Sequence, residues 1–176
     1  MSARNLIRVN RAPVITLWAA VVAERLGFNR NEALTLGRAV CGLNAYAKGK
    51  ALGLFHPSEE SVAARKKRAK AGAKLRVELM HRAVPVVRTA QGLRALSKGR
   101  PIEPVSVARY LEAKFAGRLN AARAAMQRLA RAFPRKVLAK RAYPLYVAFR
   151  PTVPAGTRGW GAQGLLRLDR IRALAR

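Results

Sequence analysis

Asn-Arg-Ala-Pro-Val-Ile-Thr-Leu-Trp-Ala-Ala-Val-Val-Ala-Glu-Arg-Leu-Gly-Phe-Asn-Arg-Asn-Glu, residues 10–32, predicts a mainly helical fold. Pro13 falls in the first turn of a helix, where its missing N–H costs nothing and its fixed φ is already helical. Val14, Leu17, Trp18, Val21 and Val22 then share one face at helical spacing, and Gly27 supplies the stop. A second helix follows at once. Asn29 with Glu32 three residues later has the form of a capping box, and Ala33, Leu36, Val40 and Leu43 repeat behind it. Gly37 and Gly42 each cost about 1 kcal/mol relative to Ala inside a helix, so both predict a bend or a close approach of another backbone. Residues 1–56 are therefore expected to form a helical hairpin that fades over residues 48–53.

Working outward, Arg4, Arg8 and Arg11 ahead of the apolar run give the N-terminus the look of a secretory signal. The run begins at Pro13, is short, and keeps its helical period through Leu26, so an amphipathic helix is the better reading. No other stretch approaches membrane-spanning length, and no membrane partner is expected. After the break His56-Pro57-Ser58, Ser58 is placed to cap a basic connecting helix over 57–74 that has almost no apolar face. Leu75, Val77 and Leu79 alternate with Arg76 and Glu78, and Val84, Val86 and Val87 follow. This predicts one small β element over 75–89, a hairpin or ribbon. Helices are expected again over 91–97 and, after the turn at 98–101, over 104–133 as one continuous stripe of Val107, Tyr110, Leu111, Phe115, Leu119, Ala122, Met126 and Leu129. Pro134 opens a further helix to Phe149 that Pro144 should kink or interrupt, and a Pro- and Gly-rich loop leads to a short helix at 168–174. The expected fold is mainly α and bundle-like with one small β-hairpin or ribbon, residues 90–176 forming a C-terminal helical region packed with the rest as one domain.

Charge carries the functional argument. The chain has 36 Lys and Arg against 8 Asp and Glu, for a formal net charge of +28. Codon bias toward Arg does not explain this, because GC-rich codons also supply acids. With 51% hydrophobic residues the chain can build a core, so it is not a disordered basic tail. A folded polycation calls for a polyanion. Arg65, Lys66, Lys67, Arg68 and Lys70 on the connecting helix are candidate phosphate contacts. Arg128, Arg131, Arg135 and Lys136 join them, and the last two stand in the first turn of a helix, where the macrodipole favours acids. A second mode is base readout. Ala23, Gly27, Ala33 and Leu36 have the spacing of a helix-turn-helix, which would expose Asn29, Arg30, Asn31 and Thr35 to base edges, with Leu34 also facing outward. A plain helical hairpin with an Asn cap makes the same pattern.

Catalytic chemistry finds no constellation. His56 and His81 have no Cys or carboxylate at ligand spacing, Glu59 and Glu60 suit a helix start, and Cys41 among apolar neighbours reads as a small core residue. Gly156-Thr157-Arg158-Gly159-Trp160-Gly161 resembles a phosphate loop only in its glycines, without the preceding strand or the Lys-Ser/Thr, and reads as a surface loop pinned by Trp160. No metal, cofactor or small-molecule substrate is expected, nor enzymatic activity.

The blocks at 4–13, 17–27, 42–45 and 149–162 resemble an uncharacterised family of bacterial proteins. That resemblance implies no activity, and it implies that the strong charge around Arg135 to Arg141 is peculiar to this chain. The expectation from the residues is a non-enzymatic nucleic-acid-binding protein of the cytoplasm, nucleoid-associated or otherwise weakly specific for duplex DNA. RNA or ribosome association is one alternative. A helical protein-interaction or homo-oligomerisation module is another, which would gain if Leu34, Leu52, Leu54 and Phe55 formed one exposed apolar patch.

Overall fold

A computed structural model describes residues 3–51, 75–154 and 163–176. Its centre is α1, Arg11–Arg25, in which every residue from Pro13 to Ala23 is buried. The single apolar face expected of this helix is in fact an apolar girdle. Four other helices surround it: α2 (Arg30–Ala51), α3 (Pro104–Phe115), α4 (Leu119–Arg131) and α5 (Arg135–Phe149). Gly37 of α2 has no room for a side chain, since a Cβ there would lie 2.4 Å from the Thr16 carbonyl oxygen. This contact sets how closely α1 and α2 approach. At Gly42 a Cβ would meet nothing within 4 Å, so close packing does not explain that glycine.

The capping box forms as read. The Asn29 amide donates to Glu32 Oε1 at 3.0 Å, and the Glu32 amide donates to Asn29 Oδ1 at 2.9 Å. Glu32 also accepts the Leu93 amide at 2.9 Å, and the Thr35 hydroxyl accepts the Ala95 amide at 3.0 Å. One turn of α2 thus holds a β-strand, and a bundle with one hairpin is not the architecture. The chain is an α/β fold. A four-stranded antiparallel sheet runs in the order β2 (Leu75–Leu79), β3 (Arg82–Thr89), β4 (Gly92–Ser97), β5 (Arg100–Pro101), and packs against α2. A second, two-stranded sheet pairs β1 (Leu6–Val9) with β6 (Gly164–Arg167), joining the two ends of the chain just before α6 (Leu168–Leu174).

Two expectations fail for identifiable reasons, and of the kink or interruption expected at Pro144 the interruption does not occur. Residues 91–97 were expected to be helical, but they form β4, paired to β3 with Val86 opposite Ala95. A segment that short does not sustain a helix by itself, and the acceptors on Glu32 and Thr35 select the strand. The continuous helix over 104–133 breaks at Ala116 (φ +47) and Gly117 (φ +84), which lets α3 and α4 both reach α1. The Arg118 guanidinium fastens the break by donating to the Arg4 and Leu6 carbonyls. Pro144, finally, does not interrupt α5. It lies on the exposed side of the helix, as does Lys140, whose carbonyl has lost its i+4 donor and can be hydrated. The basic connecting helix expected over 57–74 lies outside the described residues.

Candidate nucleic-acid interface

Arginines in this chain do two different jobs. Several are structural staples: Arg11 Nε donates to the Pro151 carbonyl at 3.0 Å, Arg172 to Asn5 Oδ1 at 2.8 Å, and Arg82 to Asn44 Oδ1 at 3.1 Å. Arg94 is buried and bonds the carbonyls of Leu93 and Gln91. The first three guanidiniums fasten loops and strands to helices and Arg94 is spent within its own strand and turn, so net charge overstates how much of the positive field is free to meet a partner.

The acids do little to neutralise the remainder. Among the described residues one ion pair forms, Arg167 with Asp169 at 2.8 Å. Glu32 is committed to backbone amides, and those of Asn29 and then Leu93 hold its carboxyl below the usual range. Glu24 is half-buried; desolvation pushes its carboxyl up and Arg30 draws it partly back.

Among the described residues, the exposed cations concentrate at the corner between α4 and α5. Arg128 and Arg131 leave the last turn of α4, and Arg135 and Lys136 enter the first turn of α5. All four are exposed, and among the described residues none of their side chains makes a hydrogen bond or ion pair with the protein. Local chemistry builds the bend. α4 ends at Ala132, whose amide donates to the Arg128 carbonyl at 3.2 Å, and Pro134 precedes α5 with its carbonyl accepting the Leu138 amide at 2.9 Å. Two guanidiniums hold Phe133 between them: Arg25 Nη2 donates to its carbonyl at 3.3 Å, and Arg141 lies 5.1 Å over its ring. Lys140 and Arg141 are exposed as well and extend the cluster along α5. The reading of the sequence missed these two. Their signal was present, since no Asp or Glu occurs between Glu112 and Asp169.

The other predicted contacts fare differently. Arg65, Lys66, Lys67, Arg68 and Lys70 lie outside the described residues, as do His56, Leu52, Leu54, Phe55 and the loop at 156–161. Thr35 is fully buried, its hydroxyl donating to the Glu32 carbonyl at 2.9 Å while accepting from Ala95, so it cannot touch a base. Asn29 spends its side chain on the cap. Arg30 and Asn31 are exposed, and Leu34, expected outside, is 4% exposed. The start of α2 is a docking point for β4, and the four residues do not form one reading surface.

Cys41 is buried, and His81 stands 6.4 Å from the Tyr143 ring at the β2–β3 turn. Among the described residues no group of three or more His, Cys, Asp or Glu is placed to hold a metal, and no helix is long and apolar enough to cross a membrane. No protein-family model, curated protein or solved structure matches the chain.

Proposed function

We propose that this protein is a non-enzymatic, nucleoid-associated duplex DNA-binding protein that grips phosphates with little regard to sequence. The observation that carries the reading is the set of exposed cations at the α4–α5 corner that no described carboxylate neutralises. An Arg or Lys without a carboxylate partner offers a polyanion its full charge, and each phosphate it meets releases condensed counterions. Weak specificity follows from the commitment of Asn29 and Thr35 to the fold. Duplex is favoured over single strands because no described Phe, Tyr or Trp side chain is exposed: Trp18, Phe115, Tyr146 and Phe149 are buried and the others half-buried. A stacking platform needs exposed rings.

The test is equilibrium binding of the whole chain to a short DNA duplex of scrambled sequence over a salt series. With about six phosphate contacts, log K should fall against log salt with a slope of about −5. Duplexes of different sequence should bind within a few-fold of one another. A flat salt response overturns the electrostatic mechanism, and stronger binding to duplex RNA or single strands would move the reading to RNA.

A further inference from the structure

A charge of +28 can bind a polyanion diffusely, with no surface preferred, or through one face. The distribution of usable cations among the described residues separates these cases. On α2, Arg30 lies in the field of Glu24 and Arg38 lies over the Tyr110 ring, and on β1 Arg8 is exposed with no other cation beside it on the strand. On the four-stranded sheet Arg82 is bonded to Asn44, Arg94 is buried, and Arg88 lies in the field of Glu32. That leaves Arg76, Lys98 and Arg100 exposed, with Glu78 also exposed on the same strand as Arg76. On α3, Arg109 and Lys114 are accompanied by Glu112, with Glu103 just before the helix. On α6, Asp169 pairs with Arg167 beside Arg170. Among the described residues, only the α4–α5 corner combines a high density of exposed cations with no acid on either helix.

Within α5 the arrangement is directional. Leu138, Ala142, Leu145, Tyr146 and Phe149 are buried, so the opposite side of the helix faces solvent along its length. Lys136 and Lys140 are four residues apart, one turn above the other on that outer side. Arg141 follows Lys140 and lies over the Phe133 ring, and Arg128 and Arg131 stand in the last turn of α4 on the other side of the bend. The large aliphatic side chains exposed on α5 are Val137 and Val147, at 38% and 40%. Neither is a residue that inserts deeply into lipid, so the face would gain charge attraction at an anionic membrane but little burial.

We infer that duplex DNA docks on one face of this protein, the α4–α5 corner, where Arg128, Arg131, Arg135, Lys136, Lys140 and Arg141 form a row of phosphate contacts. This inference rests on the duplex-binding reading above and adds to it the location of the contact. Phe133 is a positioning residue: its carbonyl is held by Arg25 and its ring supports Arg141.

Two variants of equal charge test it. The corner variant replaces the six residues of the row by Gln. The control variant carries R76Q, K98Q, R100Q, R109Q, K114Q and R170Q, all at exposed positions. Both lower the net charge by the same amount, and circular dichroism verifies that both are folded. Binding to the same DNA duplex is measured over the same salt series, alongside binding to vesicles containing phosphatidylserine. The corner variant is expected to lose at least about 100-fold in affinity near 0.1 M salt, with a slope shallower by up to about five units, and the control less than about ten-fold. Equal losses in the two variants, or a greater loss in the control, would overturn a single docking face while leaving duplex binding in place. Failure of the unmodified protein to bind duplex overturns the function itself. Vesicle binding tighter than duplex binding, and abolished in the corner variant, would assign the face to anionic lipid.

Discussion

Gly37 and Gly42 sit on the same helix, look alike in sequence, and should respond oppositely to the same change. A methyl at Gly37 collides with the Thr16 carbonyl of α1, and backbone cannot step aside cheaply. Gly37→Ala is therefore expected to destabilise the protein by about 1–3 kcal/mol, the usual cost of overpacking. Gly42→Ala adds a methyl in open space and removes the flexibility of glycine, so a gain of about 0.5–1 kcal/mol is expected. Chemical denaturation of the two variants checks both signs. Glu32 provides a pH-dependent counterpart. Its folded-state affinity for protons is lowered by the amides of Asn29 and Leu93, so the stability it confers is fully present above its unfolded pKa, near the ordinary glutamate value. That stability is lost as pH falls through the depressed folded value. Glu32→Ala should cost about 1–3 kcal/mol at neutral pH, because it removes a cap and leaves the Leu93 amide without its acceptor. The variant's stability should also decline less steeply than the parent's below about pH 4.5, measured by urea titration at successive pH values. The cap was legible from Asn29 and Glu32 alone, but the bond to Leu93 was not, since 61 residues separate the two partners.

Between α3 and α4 the chain turns on Ala116 in a left-handed conformation followed by Gly117. A non-glycine residue with positive φ is strained by its Cβ, and Ala116 has none of the side-chain hydrogen bonding that lets Asn tolerate the region. Ala116→Gly is expected to raise stability by about 0.5–1 kcal/mol, since relief of strain exceeds the added entropy of the unfolded chain. A lower thermal midpoint would show that the strain is not carried at this residue. Elements differed in how far the sequence announced them. α1, the start of α2, the β2–β3 hairpin and α6 were legible because each has a local signature: a proline and a stop glycine, a capping box, an alternating pattern, a terminal apolar repeat. β4 carried no such signature, because Leu93, Ala95 and Leu96 are as compatible with a helix as with a strand. The α3–α4 break was hidden by an apolar stripe whose spacing continues across it. Strands β1 and β6 are four residues each and pair with one another across most of the chain, with a further bridge from Thr152 to Leu165 of β6.

At the scale of the whole molecule the excess of positive charge opposes compaction, and salt should relieve that repulsion. Raising ionic strength from about 0.01 to about 0.3 M should lift the thermal midpoint by at least about 3 °C, provided no polyanion is present. A midpoint that stays flat or falls with salt would mean that attractive pairs outweigh repulsion, contrary to the single ion pair among the described residues. Adding duplex DNA at low salt should raise the midpoint through binding to the folded state, and the increment should shrink as salt is added. Composition by itself determined that the chain folds, that it is strongly cationic, and that its acids are too few to balance it. Local pattern determined the central helical hairpin and placed Arg128, Arg131, Arg135 and Lys136 around one bend. Only the tertiary structure decided that the fold is α/β, because strand pairing joins residues far apart in the chain and each partner is ambiguous alone. It also separated structural arginines from free ones. A guanidinium's partner is most often a carbonyl brought near by folding, so Arg82 and Arg135 read alike in the sequence, while the structure bonds the first to Asn44 and leaves the second facing solvent.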